Sequence, residues 1–146
     1  MSTLEDVRAA VLELSSSFPR PGLLLSVSEP YDLHTSFAST YPNAGSAGVY
    51  VLLNEAGIVL RVGKASCGRT IGHRLGDYFR WGDKVLGKGV AKNDTFKDVR
   101  YIATIAVPKD RAFEAPAIEE FLLRRLESPL NSLGMSFHIR NSARVD

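Results

Sequence analysis

The chain has 146 residues, 45% of them apolar, with a single cysteine and a formal net charge of +2. That length suits one domain with a real core. No apolar run approaches the ~18 residues of a membrane span, and a lone Cys67 excludes an internal disulfide framework and a cysteine-built zinc site.

The first residues are acidic and amphipathic rather than a basic segment leading into an apolar stretch, so no signal peptide is expected and a reducing cytoplasm fits. Residues 3–16 read as a helix: Leu4, Val7, Val11 and Leu14 recur at helical spacing, and Ser2 with Glu5 has the capping-box pattern. Ser15-Ser16-Ser17 and the Pro/Gly run after it stop that helix. Leu23 to Val27 fits a short buried strand. From Ser28 to Ser46 the composition predicts an irregular connection, and it carries no motif.

Residues 48–63, GVYVLLNEAGIVLRVG, predict a hairpin turning at Asn54-Glu55-Ala56-Gly57. Closing the loop with Leu53 and Ile58 would set Tyr50 across from Arg61. Side chains alternate faces along a strand, so Tyr50 and Arg61 share one face, with Val51 and Leu60 on the other. Taken alone, the pair suits either a site or the plainer reading of a core tyrosine whose hydroxyl reaches solvent beside a surface arginine.

A polar loop, residues 64–72, leads to a predicted helix over 73–81, where Arg74 and Tyr78 lie four apart on one face. Residues 82–98 read as a basic, mobile excursion. Val99 to Val107 is the strongest strand signal, ended by Pro108. Ala112 to Leu126 predicts a second long helix with Phe113, Ile118, Leu122 and Leu126 on its apolar side and Pro116 near its start, where a missing N–H is tolerated. Ser128-Pro129-Leu130-Asn131 terminates it, and Met135 to Ile139 fits an edge strand. His34 and His138 read as structural, His73 as a neighbour of Arg74, and Trp81 as a packing residue, with base stacking its alternative.

These elements define an α/β (α+β) domain: a small, mostly antiparallel three-stranded sheet (48–53, 58–62, 99–107) flanked by helices. Residues 1–46 form an added N-terminal helix and extension, and 47–146 the main domain. Charge is uneven. Residues 61–100 hold ten basic side chains against four acidic ones, which suits either a polyanionic partner or a solvated surface.

Polar candidates stand on separate elements in a distinctive order: Tyr50 and Arg61 on the hairpin, Lys64 after it, Arg74 and Tyr78, then Glu119 or Glu120, then Asn131. This order resembles the GIY-YIG nuclease family. Gly48-Val49-Tyr50 matches the first half-motif and Arg61-Val62-Gly63 the second. The likeness is nearest to the N-terminal nuclease domain of the bacterial excision-repair endonuclease, whose VGKA continuation stands here at Val62-Gly63-Lys64-Ala65. Its RLxxYF helix is matched at Arg74-Leu75-Gly76-Asp77-Tyr78-Phe79. The resemblance spans residues 47–132 and departs in two places: Arg61 replaces the second motif tyrosine, and the loop from Gly63 to Arg74 is longer.

The resemblance implies a metal-dependent endonuclease acting on DNA, with no membrane role and room for a protein partner. Tyr50 would be the general base or relay for water. A free tyrosine titrates near ~10, so that role needs positive charge or metal beside it, which Arg61 and Lys64 would supply. Arg74 would hold the scissile phosphate, and Tyr78 would position water or phosphate. Glu119 would be the single carboxylate ligand of Mg²⁺ or Mn²⁺, with Glu120 the alternative, and Asn131 would order the glutamate side of the site. The other reading is a catalytically degenerate module of the same type that binds nucleic acid or a protein through the basic 61–100 face.

Overall fold

The computed structural model of the protein describes residues 1–133. In chain order it has helix α1 (Leu4–Ser17), a two-residue strand β1 (Tyr31–Asp32), strands β2 (Ala47–Asn54) and β3 (Val59–Ala65), and a short helix α2 (Ile71–Gly76). Strands β4 (Phe79–Asp83), β5 (Lys88–Ala91) and β6 (Val99–Val107) and helix α3 (Glu114–Arg125) follow. The expected edge strand over 135–139 and His138 lie outside the described residues. No helix among those described is long and apolar enough to cross a membrane.

The fold is α+β, with a four-stranded antiparallel sheet in the order β1-β6-β2-β3. Both central strands, β2 and β6, are largely apolar on both faces, as strands covered from two sides are. On one face α1 and α3 bury Val7, Val11, Leu14, Ala115, Ile118 and Leu122 with Val49, Val51, Val62 and Ile105. On the other, Tyr50, Leu52, Ile71, Leu75, Phe79, Phe96 and Ile102 form a second cluster. The helix of the N-terminal extension therefore shares a core with the sheet.

Several expectations change. The expected third strand pair gains β1, whose Asp32 takes Nε and Nη2 of Arg100 on β6 at 2.8 and 2.9 Å. The cap of α1 is Thr3 with Asp6, not Ser2 with Glu5: Asp6 Oδ2 accepts the Thr3 N–H at 2.8 Å. Ser2 instead uses its hydroxyl to accept the Glu127 N–H. Leu23 to Val27 forms no strand. The 28–46 connection is irregular but tied down, with Asn43 Nδ2 donating to the buried Thr104 Oγ1 and Tyr31 Oη donating to Ser36 O at 2.7 Å.

The helix expected over 73–81 ends at Gly76, because Phe79 must turn its ring into the second core and so begins β4. The basic excursion over 82–98 is a β4–β5 hairpin followed by a 3-10 turn, Asp94–Phe96. Phe113 precedes α3 and is largely exposed instead of lying on the apolar side.

In the central hairpin, Tyr50 faces Gly63 and Arg61 faces Leu52, two residues from the expected register, with an irregularity at Leu52/Leu53. A shift of two preserves the face of each side chain, so Tyr50 and Arg61 still share one. Leu60, at the bulge, packs with the Tyr50 cluster rather than with Val51. Gly48, at φ +152°, has a reason of its own: a Cβ there would overlap the carbonyl oxygen of Ile105 on β6.

Candidate functional site

Strand β3 is an edge of the sheet, and a cavity of about 230 Å³ opens across that edge. Tyr50, Arg61, Gly63, Lys64, Ser66, Arg69, Arg74 and Glu119 line it. Alternation along β3 explains why residues from both sheet faces meet there. Lys64 pairs opposite Val49, on the α3 side, where Glu119 stands; Arg61 and Gly63 face the Tyr50 side, where α2 brings Arg74.

Gly63 is the gate in this arrangement. A Cβ at that position would overlap the Tyr50 phenol at Oη and Cζ. The Tyr50 ring thus lies over the bare backbone of the edge strand, and a fully buried side chain lines the cavity.

Tyr50 Oη and Tyr78 Oη lie 2.6 Å apart, and Arg74 Nη2 donates to Tyr78 Oη at 3.3 Å. Arg74 and Tyr78 meet as expected, although α2 has ended between them. Burial, reinforced by the bond with Tyr78, pushes the Tyr50 phenol up to about 12, and the nearby Arg61 offsets only part of that. Within the chain alone, desolvation outweighs the Arg61 field and favours the neutral phenol, so the expected base role would need further positive charge such as a metal ion.

Arg61 lies beside aromatic rings, its Cζ 5.9 Å from the Tyr78 centroid and 5.8 Å from that of Phe96, and its Nη1 donates to Leu130 O at 3.4 Å. The Nε atoms of Arg61 and Arg74 are buried with no hydrogen-bond partner, so both guanidinium groups retain unused donors.

Glu119 is half-buried and lines the cavity; Glu120 is exposed and pairs with Arg124 one turn on, at 3.7 Å. Burial raises the Glu119 pKa, and Lys64, Arg61 and Arg74 oppose that rise without cancelling it. Four cations, Arg61, Lys64, Arg69 and Arg74, thus surround one carboxylate in the cavity wall. Among the described residues no three His, Cys, Asp or Glu side chains come together as a metal cluster.

Asn131 is buried, but both of its polar atoms serve β3 instead of Glu119. Its Oδ1 accepts the Val62 N–H and its Nδ2 donates to Val62 O, each at 2.7 Å. The amide stands in for a further strand and seals the edge beside the cavity. Asn131→Ala would leave a buried N–H and C=O unpaired, each costing about 1–3 kcal/mol. A loss of roughly 3 kcal/mol is expected in urea unfolding.

Sequence reasoning missed Ser66, Arg69 and Phe96. Arg69 pairs with Asp77 at 2.8 Å, and Asp77 also faces Arg74 at 3.8 Å. The polar 64–72 loop was the only signal for it. His73 caps α2, its Nδ1 accepting the Thr70 N–H at 3.4 Å, and Trp81 packs edge-on against Phe37 at 4.9 Å. Comparisons with protein-family models, curated proteins and solved structures give no significant match for the chain.

Proposed function

We propose that the chain is a metal-dependent endonuclease of GIY-YIG type that hydrolyses phosphodiester bonds in DNA. The observation that carries this reading is the convergence of Tyr50, Arg61, Lys64, Arg74 and Glu119 in one cavity, from elements as far apart as β2 and α3. A cavity with four cations and one carboxylate attracts a polyanion far better than a neutral or cationic ligand.

The donor set suits Mg²⁺ or Mn²⁺: Glu119 offers a single hard carboxylate, and such ions complete their coordination with water and substrate oxygens. When bound, the ion supplies charge neutralisation at the phosphoryl oxygens. The other roles belong to the chain. Arg74 and Arg61 in the cavity wall offer planar guanidinium groups to the phosphate, and Lys64 adds a point charge. In the order Arg74 to Tyr78 to Tyr50, each hydroxyl accepts one bond and donates the next. The Tyr50 proton is then left to orient a water or phosphoryl oxygen in the cavity.

A second reading, a catalytically silent module binding nucleic acid or a protein partner, draws on two observations: Arg61 stands in place of a motif tyrosine, and burial raises the Tyr50 pKa. Nicking of supercoiled plasmid with Mg²⁺, Mn²⁺ or EDTA decides between them. The nuclease requires metal-dependent nicking, and Tyr50→Phe, which keeps the ring over Gly63, is expected to lower its rate about 100-fold. Salt-sensitive DNA binding without any cutting would sink the nuclease and leave the silent module.

A further inference from the structure

The β4–β5 hairpin carries a feature that the cavity chemistry does not use. Its tip exposes Val85 and Leu86, with 94% and 64% of their surface in solvent. Asp83 Oδ1 accepts the N–H groups of both at 3.0 and 3.2 Å, so the tip is held in one shape. The body of the hairpin is anchored. Trp81 packs against Phe37, and backbone bonds join Gly89 N–H to Leu33 O and Phe37 N–H to Gly87 O.

Alternation places Arg80 and Val90 opposite one another on the outer face, with Lys88 on the same side; Trp81 and Gly89 face Phe37. Arg80, Lys84 and Lys88 form no ion pair among the described residues, nor does Lys92 just beyond β5. The hairpin's one acidic residue, Asp83, is occupied by the tip. The base of the hairpin adjoins Tyr78, whose hydroxyl meets Tyr50 and Arg74 of the cavity wall. Tyr78 immediately precedes β4 and bonds the Lys92 N–H through its carbonyl, and Phe96 lies 4.7 Å from the Tyr78 ring.

We propose that this hairpin is a wedge for distorted duplex DNA, in which Val85 and Leu86 enter an unstacked base step while Arg80, Lys84 and Lys88 contact the flanking phosphates. Apolar side chains inserted between base steps select sites where unstacking is already cheap, such as bulges and mismatches. Free lysines around the tip favour DNA over a protein partner, since lysine is depleted in protein interfaces. The choice of DNA rests on the nuclease reading, but the wedge requires binding only. Seven residues separate Tyr78 from Val85, at most ~23 Å of strand. Cleavage would therefore fall within about seven nucleotides of the distortion, at ~3.4 Å per nucleotide.

The test measures affinity of the full chain, in EDTA, for a regular duplex and for the same duplex carrying a two-nucleotide bulge. Wild type is expected to prefer the bulge by about tenfold or more. Val85→Ser with Leu86→Ser is expected to bring that ratio to within about twofold. Circular dichroism checks the fold, which both exposed positions should leave intact. Lys84→Gln with Lys88→Gln is expected to weaken both duplexes and reduce the salt slope by roughly two. Equal wild-type affinity for the two duplexes, or a ratio that survives the tip substitutions, overturns the wedge. Tip-dependent selectivity without metal-dependent cutting leaves the wedge standing and removes the nuclease; nicking of plasmid without bulge selectivity does the reverse.

Discussion

Glu119→Gln is expected to slow metal-dependent nicking by about 10²–10³ while making the metal-free protein more stable at neutral pH. Glutamine keeps the shape of the side chain but removes the one carboxylate in the cavity. Losing a charge aimed at the reacting centre costs about 10²–10³ in rate, and Glu120→Gln, at an exposed position paired with Arg124, is expected to cost little. The stability half follows from the sign of the Glu119 shift. Its folded pKa lies above the ordinary carboxylate range because burial disfavours the charge. As pH rises through that raised value the folded state must ionise a desolvated group, so its stability contribution is lost. Glutamine never ionises. The variant should therefore melt higher than wild type at about pH 7, and the gap should close toward about pH 4, where both side chains are neutral. Nicking retained by Glu119→Gln would remove Glu119 from the metal site; a lower melting temperature at neutral pH would contradict the desolvated carboxylate.

Gly63→Ala is expected to be the most damaging single-atom change near the site. The added Cβ would overlap Tyr50 at Oη and Cζ, and Tyr50 is wholly buried between β2 and the second core. A flexible surface side chain would swing aside, but this ring is packed near Tyr78, with centroids 5.7 Å apart, and held at its hydroxyl. Overpacking of this kind costs about 3 kcal/mol when the neighbour cannot move. The variant should unfold at lower urea and lose nicking together. Gly63→Ala combined with Tyr50→Ala tests the cause: the clash partner is gone, so the double variant should be less destabilised than the sum of its parts. Additive losses would show that Gly63 matters for a reason other than Tyr50.

These expectations show how unevenly sequence and tertiary structure divide the account. The strand β6 was legible because Val99 to Val107 is rich in β-branched and apolar residues and is closed by Pro108, and nothing remote is needed to read it. The amphipathic α1 and α3 were legible for the same reason, as was the existence of the hairpin around Asn54-Glu55-Ala56-Gly57. Its register was not, because pairing Leu53 with Val59 and a bulge near Leu60 each move the pairing by one residue, and only alternation, not pairing, is encoded locally. The β4–β5 hairpin was hidden too. Its glycines and lysines lack the alternating pattern of a half-buried strand, and its support comes from Leu33 and Phe37, some fifty residues earlier.

The candidate site divides along the same line. Residue types in order along the chain were enough to name Tyr50, Arg61, Lys64, Arg74, Tyr78 and Glu119, since motif spacing is a property of the sequence itself. That Asn131 binds Val62 and not the glutamate depends on where the chain after α3 returns to the β3 edge. That Glu119, and not Glu120, stands in the cavity wall depends on which side of α3 meets Lys64. Sequence by itself determined α1, α3, β2, β3 and β6 and the inventory of chemical groups, because periodicity, turn residues and side-chain identity are local. Only the tertiary structure decided that burial raises the Tyr50 pKa and that Gly63 must stay bare, because desolvation and close approach depend on residues that are distant in sequence and packed together in space.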